Sequence, residues 1–151
     1  MRTLARASDL AAIRQRITLV SPTDTALWGS MSAHQMVCHL TDAFRCPLGE
    51  KVPKPIKASS IPIPIYKRLA LWLPVKWPPN VPTTPEMDQA IHGTPPTVFA
   101  VDQGSLFAIL SRFASSSGPW RSHPIFGFMT TREWMHWGYL HTDHHLRQFG
   151  R

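Results

Sequence analysis

Four histidines, His136, His141, His144 and His145, fall within ten residues near the end of the chain, and His34 and His39 share an earlier segment. Imidazole is the commonest side-chain ligand of divalent metals, so the spacing of these residues decides what they can do. His141 and His145 are four apart. On an α-helix that is about one turn, which puts both rings on one face with Cβ atoms ~5–6 Å apart. Two ring nitrogens then reach one ion at the usual ~2.0–2.1 Å. His144 points about 100° away from His145 and is expected at the edge of that face. His141 and His144, three apart, are the competing pair. His141 and His145 are preferred because their face also carries Trp134, Trp137 and Gly138, a mixed apolar side expected to turn inward.

Two residues of one helix cannot enclose an ion, so a third ligand has to come from another element. His39 is the best candidate, on a face shared with Ser32, Gln35, Met36 and Ala43. Helices in a bundle pack ~8–10 Å apart, close enough for facing histidines to meet on one ion. Asp42 and Asp143 are candidates to orient the imidazoles from behind. Glu133 is an alternative carboxylate ligand. There is no HExxH, so a zincin protease is not indicated. His34 and His123 are candidate acid–base groups, and no residue is assigned as catalytic. The same spacings also occur where histidines are hydrogen-bonded core residues, and that reading stays open on spacing alone.

The elements that must position these residues are helical. Ser8 is a plausible N-cap for a first helix with Asp9 in its first turn and Leu10, Ile13, Ile17 and Val20 at helical spacing, ended by SPTD at 21–24. Ser32 and Gln35 form a capping-box pattern for a second helix running to about Arg45, with Pro47 and Gly49 as stops. Cys46 to Pro96 is dense in proline, and a short helix fits at 65–73. Another fits at 84–93, with Thr84 as cap, Pro85 in the first turn and Gly93 as stop. A third main helix fits 97–115, with Val98, Val101, Leu106, Ile109, Leu110 and Phe113 on its apolar side. The last begins at Thr130 or Thr131 and runs through Gln148. Strand signals are poor: no Asn-Gly or Asp-Gly turn occurs, and IPIPI carries proline. The expectation is all-α, a four-helix bundle with Pro-rich connections and one or two short extra helices, as a single domain over 1–151.

Composition sets the wider bounds. With 43% hydrophobic and 17% charged residues over 151 positions, the chain can build a core. Cys38 and Cys46 suit buried reduced thiols rather than a disulfide framework. No apolar run approaches the ~20 residues of a membrane span, and no secretory signal is legible, so a cytoplasmic protein with no membrane partner is expected. The net charge of +7 is spread along the chain apart from Lys51, Lys54, Lys57, Lys67 and Arg68, so a solvated basic face is expected rather than nucleic-acid binding.

With these elements in place, WGSMSAHQMVCHLTDAFR together with HPIFGFMTTREWMHWGYLHTDHHLRQFG resembles the DinB/YfiT-like metalloenzyme superfamily, within it an uncharacterised DUF-type branch. The carrying motifs are the terminal HxxHH and the HL-x-D of the second helix. The resemblance implies a DinB-like four-helix bundle and a divalent metal, zinc or nickel, on His39, His141 and His145. It also implies a low-molecular-weight thiol such as bacillithiol, mycothiol or glutathione, and a homodimer. The chain departs from the pattern at Arg147, where a glycine is usual before Gln148, and in its Pro-rich middle.

The functional expectation is a metal-dependent enzyme acting on a small-molecule substrate held under the Pro-rich segment, with Trp28, Trp134 and Trp137 as either pocket walls or core aromatics. A thiol-dependent S-transferase is the first form of it. A metal-dependent hydrolase and a non-enzymatic metal or small-ligand binding module are the alternatives.

Overall fold

The computed structural model describes residues 1–81 and 83–151; Pro82, one of the prolines of the middle segment, lies outside them. The fold is an all-α helical bundle. Five helices, α1 (Ala7–Thr18), α2 (Ala33–Arg45), α3 (Ile63–Trp72), α4 (Phe99–Ser115) and α5 (Thr131–Gln148), are joined by irregular chain and one 3₁₀ turn at Pro85–Met87. Among the described residues there is no strand, only an isolated bridge between His123 and Gly127. None of their helices is long and apolar enough to cross a membrane.

The two helices that carry the candidate ligands have the firmest starts. Ser32 accepts the Gln35 N–H while Gln35 reaches back to Ser32, and Thr130 and Glu133 repeat the device on α5. Each box satisfies two otherwise unpaired backbone donors and fixes where the helix begins, hence which way its histidines point. α2 packs chiefly on α4, α1 on α5, and α3 lies across α5. Ile13, Ile17, Leu40, Phe44, Leu106, Leu110, Phe113 and Trp134 fill the space between them. Gly138 lets α5 come close: a Cβ there would lie 2.7 Å from Leu4 Cδ1 and 3.0 Å from Phe113 Cε1.

Three local expectations are corrected. Ser8 does not cap α1, which starts at Ala7 with no side-chain cap. The buried Asp9 carboxylate instead accepts the Thr3 N–H, tying the N-terminal segment to the helix. The helix expected over 84–93 shrinks to the 3₁₀ turn. Asp88 accepts the Ala90 N–H with its own side chain and Gln89 turns in to the distant Asp42, so one local and one long-range polar bond outcompete the helix. Val98 and Val101, expected on the apolar side of α4, are exposed: Val98 precedes the helix, and the helix's buried side is Leu106, Ile109, Leu110 and Phe113.

Candidate metal centre

α2 and α5 bring His39, His141 and His145 together. A nitrogen from each lies within 4.8 Å of the others, and His39 Nε2 is 3.3 Å from His141 Nε2. A tetrahedral ion with ligands at ~2.0–2.1 Å keeps them roughly 3.3–3.4 Å apart, so this separation is already that of two ligands on one ion. His39 is buried, while His141 and His145 are part-buried on the wall of a cavity of about 560 Å³.

Hydrogen bonds on the far side of the rings decide which nitrogens face one another. His39 Nδ1 lies 2.8 Å from the Met87 carbonyl oxygen, which only accepts, so Nδ1 carries the proton and Nε2 keeps its lone pair. The Gln148 amide donates to the Trp28 carbonyl at 2.8 Å, which turns Gln148 Oε1 towards His145 Nδ1 at 3.0 Å. That ring is therefore protonated on Nδ1 as well, with its Nε2 free to ligate. Gly29 permits the Gln148 contact: its φ is +76°, and a Cβ would sit 2.9 Å from the amide nitrogen. His141 Nδ1 is buried with no hydrogen-bond partner among the described residues, and its ring stacks on Trp137 at 4.7 Å.

Burial pushes the pKa of all three imidazoles down. For His141 the neighbouring His145 and His39 add to the effect, and for His145 the neighbour is His39. Neutral rings in contact, with lone pairs turned inward, are the form that binds a metal.

Asp42 and Asp143 do not orient these rings directly, contrary to expectation. Asp143 is held by Arg16 at 2.7 Å and Arg147 at 2.9 Å. Asp42, fully buried, accepts from Lys51 at 2.6 Å, the Thr94 N–H at 2.8 Å, the Thr94 hydroxyl at 2.7 Å and Gln89 at 3.1 Å. Burial alone would raise its carboxyl, but Lys51 and Thr94 outweigh that and hold it below the ordinary range. Asp42 thus fastens the turn that presents the Met87 carbonyl to His39. Sequence reasoning missed that carbonyl, because no side-chain pattern reports it. Gln148 was legible as a feature beside the histidines, but its bond to His145 was not.

The remaining histidines separate. His144 is buried rather than at an edge, facing Trp28 and Trp77, but stays outside the three-nitrogen group. His136 sits between the carbonyls of Arg2 and Leu71. His34 bonds Asp102 at 2.7 Å and does not line the cavity. With Cys38 these two form a second cluster of ligand-type atoms. Asp102 is also engaged by the Thr97 N–H, and burial pushes the Cys38 thiol up to about 12, so this cluster reads as a tie between α2 and α4. His123 lines the cavity with its Nδ1 accepting the N–H groups of Ile125 and Phe126. Burial lowers its pKa to about 3, so the ring is neutral, and with Nδ1 accepting it carries its proton on Nε2. Glu133 is spent on the α5 cap and on Lys67.

Trp28 lines the cavity with Trp77 from the Pro-rich segment, while Trp134 and Trp137 border it as buried core aromatics. Most of the outer wall comes from that segment, including Ile61, Tyr66, Leu69, Leu73 and Val75. Among the lining residues Lys76 is the one Lys or Arg side chain.

Residues 84–151 match a family model described as protein of unknown function (DUF1569). The match takes in His141 and His145 and leaves out His39. It corrects the resemblance to the DinB/YfiT-like superfamily, since the matching model is a different one and carries no function with it. No curated protein and no solved structure matches the chain significantly.

Proposed function

We propose that the protein is a metal-dependent hydrolase of a small, largely apolar molecule, with one divalent ion, zinc or nickel, held by His39, His141 and His145. The observation that carries this reading is the outward commitment of Nδ1 in His39 and His145, which leaves the Nε2 of each free to ligate in a trio whose nitrogens lie within 4.8 Å of one another. Without a cation His39 Nε2 has, among the described residues, only the His141 Nε2 at 3.3 Å as a partner. A divalent ion in this place supplies Lewis acidity and lowers the pKa of a bound water.

The chain's own residues do the rest. Trp137 stacks on His141 and fixes that ring's plane. The Met87 carbonyl and Gln148 fix the other two. The apolar lining excludes water from around the substrate, and the His123 Nε2–H offers a hydrogen bond to a substrate oxygen. Among the described residues no fourth His, Cys, Asp or Glu joins the group, which favours an open coordination position over a closed binding module. The thiol-transferase reading drew its support from the overturned resemblance. A carboxylate-bearing thiol would also find only Lys76 as a cationic partner.

The test uses the full chain stripped with a chelator, reloaded with zinc or nickel, and assayed on p-nitrophenyl butyrate. Hydrolysis that returns with metal and is lost in His145→Ala supports the reading. Turnover indifferent to chelation and to His145→Ala contradicts it, and turnover that requires added thiol returns the transferase.

A further inference from the structure

Helix α3 wears its amphipathicity inside out. Ile65, Arg68, Leu69 and Trp72, at i, i+3, i+4 and i+7, share one stripe, and that stripe faces solvent. Ile65 is 54% exposed, and beyond the helix Val75 is 63% exposed. Leu69 and Trp72 are each 39% exposed, Trp72 with one face stacked on His136, and apolar side chains left partly in water along a helix face mark a surface that meets something else.

Charge narrows what that is. From Lys51 to Pro85 the sequence carries six Lys or Arg and no Asp or Glu. Lys51 and Lys67 are taken up by Asp42 and Glu133. Arg68 and Lys76 stay exposed, and Arg132, from the start of α5, lies over the Trp72 ring at 5.2 Å. The stripe is therefore apolar and cationic together. A second copy of the chain would oppose one cationic face with another. An anionic bilayer surface takes both features at once, with apolar side chains entering the acyl boundary and long basic ones reaching the headgroups.

We propose that the α3 face docks on membranes containing anionic phospholipid, with Ile65, Leu69, Trp72 and Val75 inserted and Arg68, Lys76 and Arg132 on the headgroups. Such peripheral contact needs no spanning helix. Leu69, Leu73, Val75 and Lys76 also line the cavity, so docking would set its wall against the bilayer, a route for apolar molecules. This inference is independent of whether the histidines hold a metal.

The test is co-sedimentation of the full chain with vesicles of phosphatidylcholine alone or mixed with phosphatidylglycerol, at low and high salt. Partitioning should be at least about tenfold greater on the anionic vesicles and fall with salt. Arg68→Gln, Lys76→Gln and Arg132→Gln combined should lower it roughly a hundredfold, at about fivefold per charge. Ile65→Ser with Val75→Ser should weaken binding to the anionic vesicles as well. All these side chains are exposed, and an unchanged circular dichroism melt checks that the variants fold. Equal partitioning on both vesicle types, or none, overturns the proposal. So does self-association of the chain that Ile65→Ser abolishes while vesicles are ignored, which would make the occupant a second copy.

Discussion

His145 Nδ1 lies 3.0 Å from Gln148 Oε1 within the last turn of α5, and the same Gln148 amide donates to the Trp28 carbonyl at 2.8 Å. This relay sets the tautomer of His145. Groups that orient metal-bound histidines from behind are commonly worth about 10–100-fold in metal affinity. Gln148→Leu should weaken zinc affinity by that order while the protein stays folded. Competition against a chelating dye measures it, and unchanged affinity would mean that Gln148 has no orienting role.

Asp42 joins α2 to Lys51 and to the turn ending at Thr94. Asp42→Asn leaves the Lys51 ammonium, mostly buried, without its counter-charge. A loss of about 3 kcal/mol is expected, read from the urea midpoint. The sign with pH follows from the lowered carboxyl. Its contribution is complete above the unfolded value of 3.8 and is lost as pH falls through the lower folded value, so the variant should be less sensitive than the wild type in that range.

His123 also makes the fold lose stability as pH falls, but over a higher range. Its ring is held at about 3 in the fold against 6.5 in the unfolded chain. Below 6.5 the unfolded chain takes up a proton that the native ring refuses, so this residue costs stability progressively as pH falls towards 3. In His123→Asn the side-chain oxygen still accepts the Ile125 and Phe126 N–H groups. Its stability should fall less steeply between about pH 6 and 4, by roughly 1.4 kcal/mol per pH unit. Equal slopes in urea titrations of the two proteins would contradict the buried neutral ring.

Gly138→Ala places a methyl 2.7 Å from Leu4 Cδ1 and 3.2 Å from Phe44 Cε1. Alanine favours a helix by up to ~1 kcal/mol over glycine, but crowding a filled core costs about 1–3 kcal/mol. Net destabilisation is expected, and a raised thermal midpoint would show that the core yields.

The starts of α2 and α5 and the meeting of the histidine trio were legible because they rest on local signals: the Ser32–Gln35 capping box, a threonine cap ahead of Glu133, and a one-turn spacing on α5. His39 was legible as the histidine facing inward from α2. What failed depends on contacts between distant segments. The fate of 84–93 turns on Gln89 and Thr94 meeting Asp42 from about fifty residues away. Asp42 looked like a histidine's partner from its place one turn along α2, but Lys51 and Thr94 claim its oxygens. The burial of His144 needed Trp77, which the Pro-rich segment delivers. The outward stripe of α3 reads in sequence as an ordinary amphipathic helix, because periodicity gives a face and not its direction.

The central claim is that three named imidazoles hold one ion. Elemental analysis of the purified chain loaded with zinc or nickel, beside five alanine variants, addresses it most directly. About one ion per chain is expected for the wild type, His136→Ala and His144→Ala, and a small fraction of that for His39→Ala, His141→Ala and His145→Ala. Full metal retention by folded His141→Ala would contradict the account.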